Sequence, residues 1–240
     1  MSRQILLGAA LLAVFAAPSR AAGINLSWDD CGAAGVLQKN FACDTNTGSE
    51  VMIGSVVSPV PIGNLDAMAA ALFVQTGGVA LTPWWHLESS GCRAGTFAPI
   101  TASFTGIGSC ANPWSASVGG VAGGIDYQPG FAGIPNRARV RVVCAVPDSV
   151  AIDNTTEYFM FRITISHQKT LTCAGCSDGA CILLDQIQLY PASSPTTLTI
   201  GNPLLRNFVV WQAGLGGTGS CPVATASRSS TWGSIKAMYR

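Results

Sequence analysis

The stretch Glu157-Tyr-Phe-Met-Phe-Arg-Ile-Thr-Ile-Ser-His167 decides the fold class. Phe159, Phe161, Ile163 and Ile165 fall on one face, and Tyr158, Met160, Arg162, Thr164 and Ser166 on the other. Alternation of this kind is the signature of a half-buried β-strand, since successive side chains of a strand point to opposite sides. Cys181-Ile-Leu-Leu-Asp-Gln-Ile-Gln-Leu-Tyr190 repeats it, with Leu183, Ile187 and Leu189 expected on one face and Gln186 and Gln188 on the other. Outward from these two, Val51–Ser58, Phe97–Phe104, Arg139–Val146, Thr196–Ile200 and Asn207–Gln212 read as further strands, each bounded by Gly, Pro, Asn or Ser. Leu65–Thr76 is ambiguous. Its alanines favour helix, whereas Leu72-Phe-Val-Gln-Thr76 and the closing Gly77-Gly78 favour a strand, and strand neighbours decide for the strand.

Many short strands with turn signals between them and hardly any helix imply an all-β fold, an antiparallel β-sandwich of jelly-roll or Ig-like type. Composition agrees. The 240 residues include 27 glycines and 13 prolines, and only 10% are charged against roughly 25% in an ordinary soluble protein. A formal net charge of +1 argues against nucleic-acid binding by bulk charge, and 48% apolar content argues against a charged, disordered chain.

Residues 1–21 read as a secretory signal peptide: Arg3, an apolar run from Ile5 to Ala17, then Pro18, with Ser19 and Ala21 as small residues ahead of cleavage. The run is too short for a spanning helix, so the expected mature protein is secreted, extracellular or cell-surface associated and not integral to a membrane. The β domain is expected over 22–212. Residues 213–240 read as a Gly-rich linker followed by a short C-terminal peptide, with Trp232, Ile235 and Tyr239 on one side of a docking helix.

Nine cysteines fit an oxidising compartment and disulfide stapling, and the odd number leaves one without an intrachain partner. Cys144 is the choice, because it shares a strand face with Val140, Val142 and Val146 and there behaves as a small hydrophobe. Cys31 with Cys43, and Cys92 with Cys110, are the simplest local pairs. The cluster Cys173, Cys176 and Cys181 has zinc-like content with His167 nearby, but export favours a disulfide-stapled hairpin.

No catalytic constellation is evident. His86, one of two histidines, precedes Glu88 and is the base a hydrolase would use, yet no nucleophile elbow accompanies it. Asp44, Asn46 and Glu50 put oxygen atoms at alternating positions as a calcium loop begins, but the glycine and the closing glutamate of an EF-hand are misplaced, so no cofactor is expected. Trp84, Trp85 and Trp114 lie near loops. In an extended segment Trp84 and Trp85 cannot both point inward, which puts one ring at the surface as a platform for a glycan or a partner protein.

The segments Ile24-Asn-Leu-Ser-Trp-Asp-Asp-Cys-Gly32, Phe41-Ala-Cys-Asp-Thr-Asn-Thr-Gly48, Pro83-Trp-Trp85 with Gly91-Cys-Arg93, and Thr231–Arg240 resemble an uncharacterised family of exported bacterial proteins. The resemblance spans most of the mature chain. It implies a strand-rich exported bacterial protein, assigns no site residue, and favours a recognition role for the C-terminal peptide. The expected function is therefore that of an exported, non-enzymatic structural, adhesive or binding protein working through protein contact, self-association included. A carbohydrate-binding module using the tryptophans and a hydrolase using His86 are the alternatives.

Overall fold

Eleven β-strands form two sheets in the structure, a computed structural model that describes residues 22–98, 104–192, 194–217 and 221. The segment 1–21 expected to be a signal peptide and the C-terminal stretch bearing Trp232, Ile235 and Tyr239 lie outside the described residues. The first sheet has the order β1 (Gly23–Trp28), β3 (Ser49–Val57), β8 (Tyr158–Ser166), β5 (Phe97–Ala98). The second runs β2 (Gln38–Lys39), β11 (Phe208–Trp211), β9 (Ala180–Pro191), β4 (Ile62–Thr76), β7 (Arg137–Ile152), β6 (Ala122–Pro129), with β10 (Leu198–Ile200) also paired to β9. Pairing is antiparallel except between β11 and β2. Helical structure among the described residues is confined to short 3-10 turns.

The deciding stretch is β8. Phe159, Phe161, Ile163 and Ile165 are buried as the alternation requires, and Met160 is buried with them because the indole N–H of buried Trp114 donates to its carbonyl at 3.0 Å. Gly54 of β3 lies under Phe161. A Cβ at position 54 would fall 2.1 Å from the Phe161 ring, and the register shifts at Gly54/Ser55 to make room. Leu65–Thr76 is a strand, the centre of β4. Its pleat is sharply divided: Met68, Ala70, Leu72 and Val74 are buried, while Ala67, Ala69, Ala71 and Phe73 alternate with them on the other face. One hydrophobic cluster takes residues from both sheets, among them Leu26, Ile53 and Phe161 from the first and Leu72, Val140 and Ile187 from the second.

Two strand readings need correction. Leu183 does not share a face with Ile187 and Leu189. A register shift at Ala71/Leu72 skips Asp185, so Leu184 pairs with inward Leu72 and Leu183 with outward Phe73. Gly23–Trp28 and Ala122–Pro129 are strands the alternation did not reveal. β1 is buried on every residue, because β3 flanks one edge while on the other Ile24 N donates to Asn202 O, Ile24 O accepts from Leu204 N and Leu26 N donates to Arg206 O. Burial on both faces removes the alternation.

Four disulfides are present, and their partners are distant rather than local: Cys31–Cys110, Cys43–Cys176, Cys92–Cys173 and Cys181–Cys221. The Cys31–Cys43 and Cys92–Cys110 pairs expected from proximity in sequence do not form. Sequence spacing measures the loop that a bridge would close, whereas β topology brings residues 79 to 133 positions apart within 6 Å between Cα atoms. The triplet Cys173, Cys176, Cys181 is not a self-stapled hairpin, since each member bonds elsewhere, and no thiolate remains there for zinc. Cys144 is the free cysteine, and burial pushes its thiol up to about 12, so it stays protonated and inert at neutral pH. The segment beginning at residue 213 returns to the body, because buried Cys221 is tied to Cys181 in β9. Four disulfides suggest an oxidising, extracellular environment. No described helix is long and apolar enough to cross a membrane.

Candidate functional site

The tryptophans expected at the surface are core. Trp84 and Trp85 are 0% exposed and Trp114 is 2% exposed. The reasoning from an extended segment fails because Pro83–Trp85 is a 3-10 turn, so consecutive rings diverge without either having to face water. The Trp84 ring stacks on Trp211 at 5.0 Å and meets Trp85 edge-on at 4.8 Å, and its indole N–H donates to Thr170 Oγ1. The backbone N–H of Trp84 donates to Ala174 O at 2.8 Å, beside the Cys92–Cys173 bridge. No glycan platform of stacked tryptophans exists at these positions.

His86 sits at the rim of this cluster with its side chain 37% exposed, and its Nδ1 lies 2.8 Å from Glu88 Oε1. Glu88, Asp126 and Tyr127 line a cavity of about 390 Å3 beside it. Burial holds the Tyr127 hydroxyl far above its ordinary pKa, and it donates to Trp85 O, so it is not an acid–base group near neutrality. Among the described residues no serine or threonine hydroxyl is bonded to His86. The cavity is lined by the carboxylates of Glu88 and Asp126, one of them in contact with His86, without an activated nucleophile.

Of the alternating oxygen side chains Asp44, Asn46 and Glu50, two are engaged elsewhere. The Asn46 side chain accepts from Leu171 N at 3.0 Å, and Glu50 pairs with Lys39 at 3.1 Å and faces His167 Nε2 at 3.4 Å. Among the described residues no group of three His, Cys, Asp or Glu side chains is arranged to hold a metal ion.

The feature that does converge lies on the outer face of the second sheet. On β4 the outward positions Ala67, Ala69 and Ala71 are methyl groups, and they form a low floor. Along β7 the outward positions carry Arg139, Arg141, Val143 and Ala145, and along β9 they carry Gln186, Gln188 and Tyr190, so longer side chains rise on both sides. The result is a groove over the central strand, walled by arginine and glutamine at its Ala71 end and opening at its Ala67 end across Val143 and Ala145 onto Ala122, Gly123 and Gly124 of β6. One part encloses about 470 Å3 between Ala67, Ala69, Gly124, Val143 and Tyr190, and a second, about 150 Å3, shares Ala69 and Arg141 with it and is bounded by Arg139, Gln186 and Gln188. The six residue-to-residue steps from Arg139 to Ala145, at about 3.3 Å each, make this wall about 20 Å long.

The groove walls are polar and, in part, unpartnered. Arg139 is fixed from behind: its guanidinium lies 4.5 Å over the Phe131 ring and donates from Nη2 to Gln128 Oε1 at 3.0 Å, while its buried Nε has no partner. Among the described residues, Arg141 and the Gln186 amide have no hydrogen-bond or ion-pair partner, although Asp126 stands across the strand pair from Arg141. Tyr190 OH donates to Gln188 Oε1 at 2.9 Å, which orients that amide with its N–H groups outward. Arg137 is a structural neighbour instead, because it is bound to Gln75 Oε1 at 2.8 Å. The signal for this groove was in the sequence as two period-two rows, Ala67/Ala69/Ala71 and Arg137/Arg139/Arg141. Neither row was read as a site, because only their pairing in one sheet makes floor and wall.

No protein family, curated protein or solved structure matches the chain.

Proposed function

We propose that this is an exported bacterial binding protein, non-enzymatic, built as a disulfide-stapled β-sandwich that takes its ligand along the alanine-floored groove of the second sheet. The observation that supports this most is the row of guanidinium and amide groups with unused hydrogen-bonding capacity standing over methyl groups. Solvent-facing strand positions usually carry bulkier or charged residues, and a stripe of three alanines leaves space that a ligand fills. No disulfide cysteine and no tryptophan lines the groove, so recognition and stability draw on different residues. Surface attachment of the protein through such a ligand accounts for the adhesive or structural role expected of an exported chain with few charges.

Ala69→Trp is the direct test. Its side chain fills the space shared by both parts of the groove while pointing away from the core, so the thermal midpoint stays within about 2 °C of wild type, as outward substitutions of this size do. Retention of the secreted protein on isolated cell envelopes, read by sedimentation, is expected to be lost in the variant. Retention equal to wild type contradicts the groove as the site.

A second reading, a hydrolase working from His86, draws on the 2.8 Å His86–Glu88 contact and the adjoining cavity. It requires turnover of an ester or glycoside that His86→Ala abolishes and Ala69→Trp leaves unchanged.

A further inference from the structure

We infer that the ligand of the groove is an acidic glycan, a chain of sugar rings bearing carboxylates. The inference rests on the groove being the binding site and adds the chemistry of what it holds.

Charge comes first. Arg139 and Arg141 lie two residues apart on one strand face, about 6.8 Å along it, with both guanidinium groups bordering the same space. A guanidinium fork matches a carboxylate with two parallel hydrogen bonds, and Arg139 is pre-positioned by its Phe131 stack and its bond to Gln128. Asp126 is the one acidic side chain directly across from Arg141, and no ion pair joins them, so the cationic character is not cancelled in the structure.

Gln186 and Gln188 form the facing wall. A primary amide both donates and accepts, as a sugar hydroxyl does, whereas a wall built for carboxylate alone would carry cations on both sides. Between the walls the alanine methyls offer a flat apolar strip suited to the C–H face of a pyranose ring. Tyr190 closes one end with a half-exposed ring.

The placement on a sheet face distinguishes this ligand from an acidic peptide. Extended peptides are held by main-chain pairing at a sheet edge. β4 is a central strand, paired on one side to β7 and on the other to β9, so it has no free backbone groups to offer. A peptide laid on the alanines would find no main-chain partner for its N–H and C=O groups, while the hydroxyls and carboxylates of a glycan meet side-chain amides and guanidinium groups on both walls.

The experiment is calorimetric titration of the full mature protein with a galacturonic acid hexasaccharide, a neutral maltohexaose and hexaglutamate. The expected result is binding of the hexagalacturonate that weakens as salt rises, little binding of the other two, and a loss of about 30-fold in Arg139→Gln/Arg141→Gln, the equivalent of one charge-assisted hydrogen bond. The same titration on Ala69→Trp separates the two levels of the claim. If maltohexaose binds as well as hexagalacturonate and Ala69→Trp abolishes both, the groove stands and its acidic specificity is overturned. Tighter binding of hexaglutamate, again lost in Ala69→Trp, keeps the groove and overturns the glycan. Binding that survives both variants, or no binding of hexagalacturonate, overturns the inference.

Discussion

Arg93→Ala is expected to cost about 4 kcal/mol of stability, among the largest effects of any single substitution in the chain, although Arg93 touches no carboxylate. Its side chain is fully buried and its guanidinium lies 3.8 Å over the Trp84 ring. It donates to Gln168 O at 3.2 Å, to Trp84 O at 3.3 Å and to Ser166 O. One side chain thus satisfies carbonyls of the tryptophan turn, of the end of β8 and of the loop after it. Truncation leaves these acceptors without a donor and opens a cavity against Trp84, each at the cost usual for buried polar groups and large-to-small changes. Burial lowers the pKa of Arg93 to about 10, so it remains charged at neutral pH. Arg93→Lys restores the charge but not the planar fork, and recovers less than half of the loss. Chemical denaturation followed by tryptophan fluorescence measures both variants. A midpoint for Arg93→Ala within error of wild type contradicts this account of the cluster.

Removing the Cys43–Cys176 bridge by Cys43→Ser/Cys176→Ser is the second large effect. The two residues are 133 positions apart, but Cys31–Cys110 and Cys92–Cys173 already shorten the path between them. The loop that the bridge closes in the unfolded chain is therefore about 35 residues rather than the full separation, which corresponds to about 4 kcal/mol in the chain-entropy picture. The thermal midpoint is expected to fall by about 10 °C, with the remaining three bridges intact. A fall of less than about 2 °C would show that the bridge closes no costly loop. Mass mapping of the oxidised double variant must still find Cys31–Cys110, since a re-paired isomer would report a different loop.

What the sequence made legible, and what it did not, follows from the range of each signal. Alternation is local, so β8 could be read directly, as could the burial of Cys144 among valines, whereas the alanines of β4 left helix and strand open and only its strand neighbours decided for the strand. Partner choice is not local. Cys31 joins Cys110 because the chain after β1 and the 104–111 loop meet at the end of the first sheet, where Ala111 N donates to Glu157 O and Ala111 O accepts from Phe159 N, and nothing in the spacing reports that. Trp84 and Trp85 were misjudged for a different reason. Pro83 opens a tight turn there, and an argument from the two-residue period of a strand does not apply to a turn with three residues per cycle. β6 escaped notice because an edge strand containing Gly123, Gly124 and Asp126 has almost no apolar alternation to display. The groove needed all of this at once: its floor and walls come from three strands far apart in the chain, and only their register sets alanine beside arginine and glutamine.

The central claim is that ligand lies over the alanines of β4, and alanine methyls are themselves the best reporters of it. Methyl NMR of the full mature protein, labelled at alanine and titrated with galacturonic acid hexasaccharide, distinguishes the faces of the sheet directly. The account predicts shifts at Ala67, Ala69, Ala71 and Ala145 on the outer face, with inward Ala138 and Ala180 unmoved. Shifts confined to methyls near the His86 cavity, or no shifts at saturating glycan, would contradict it.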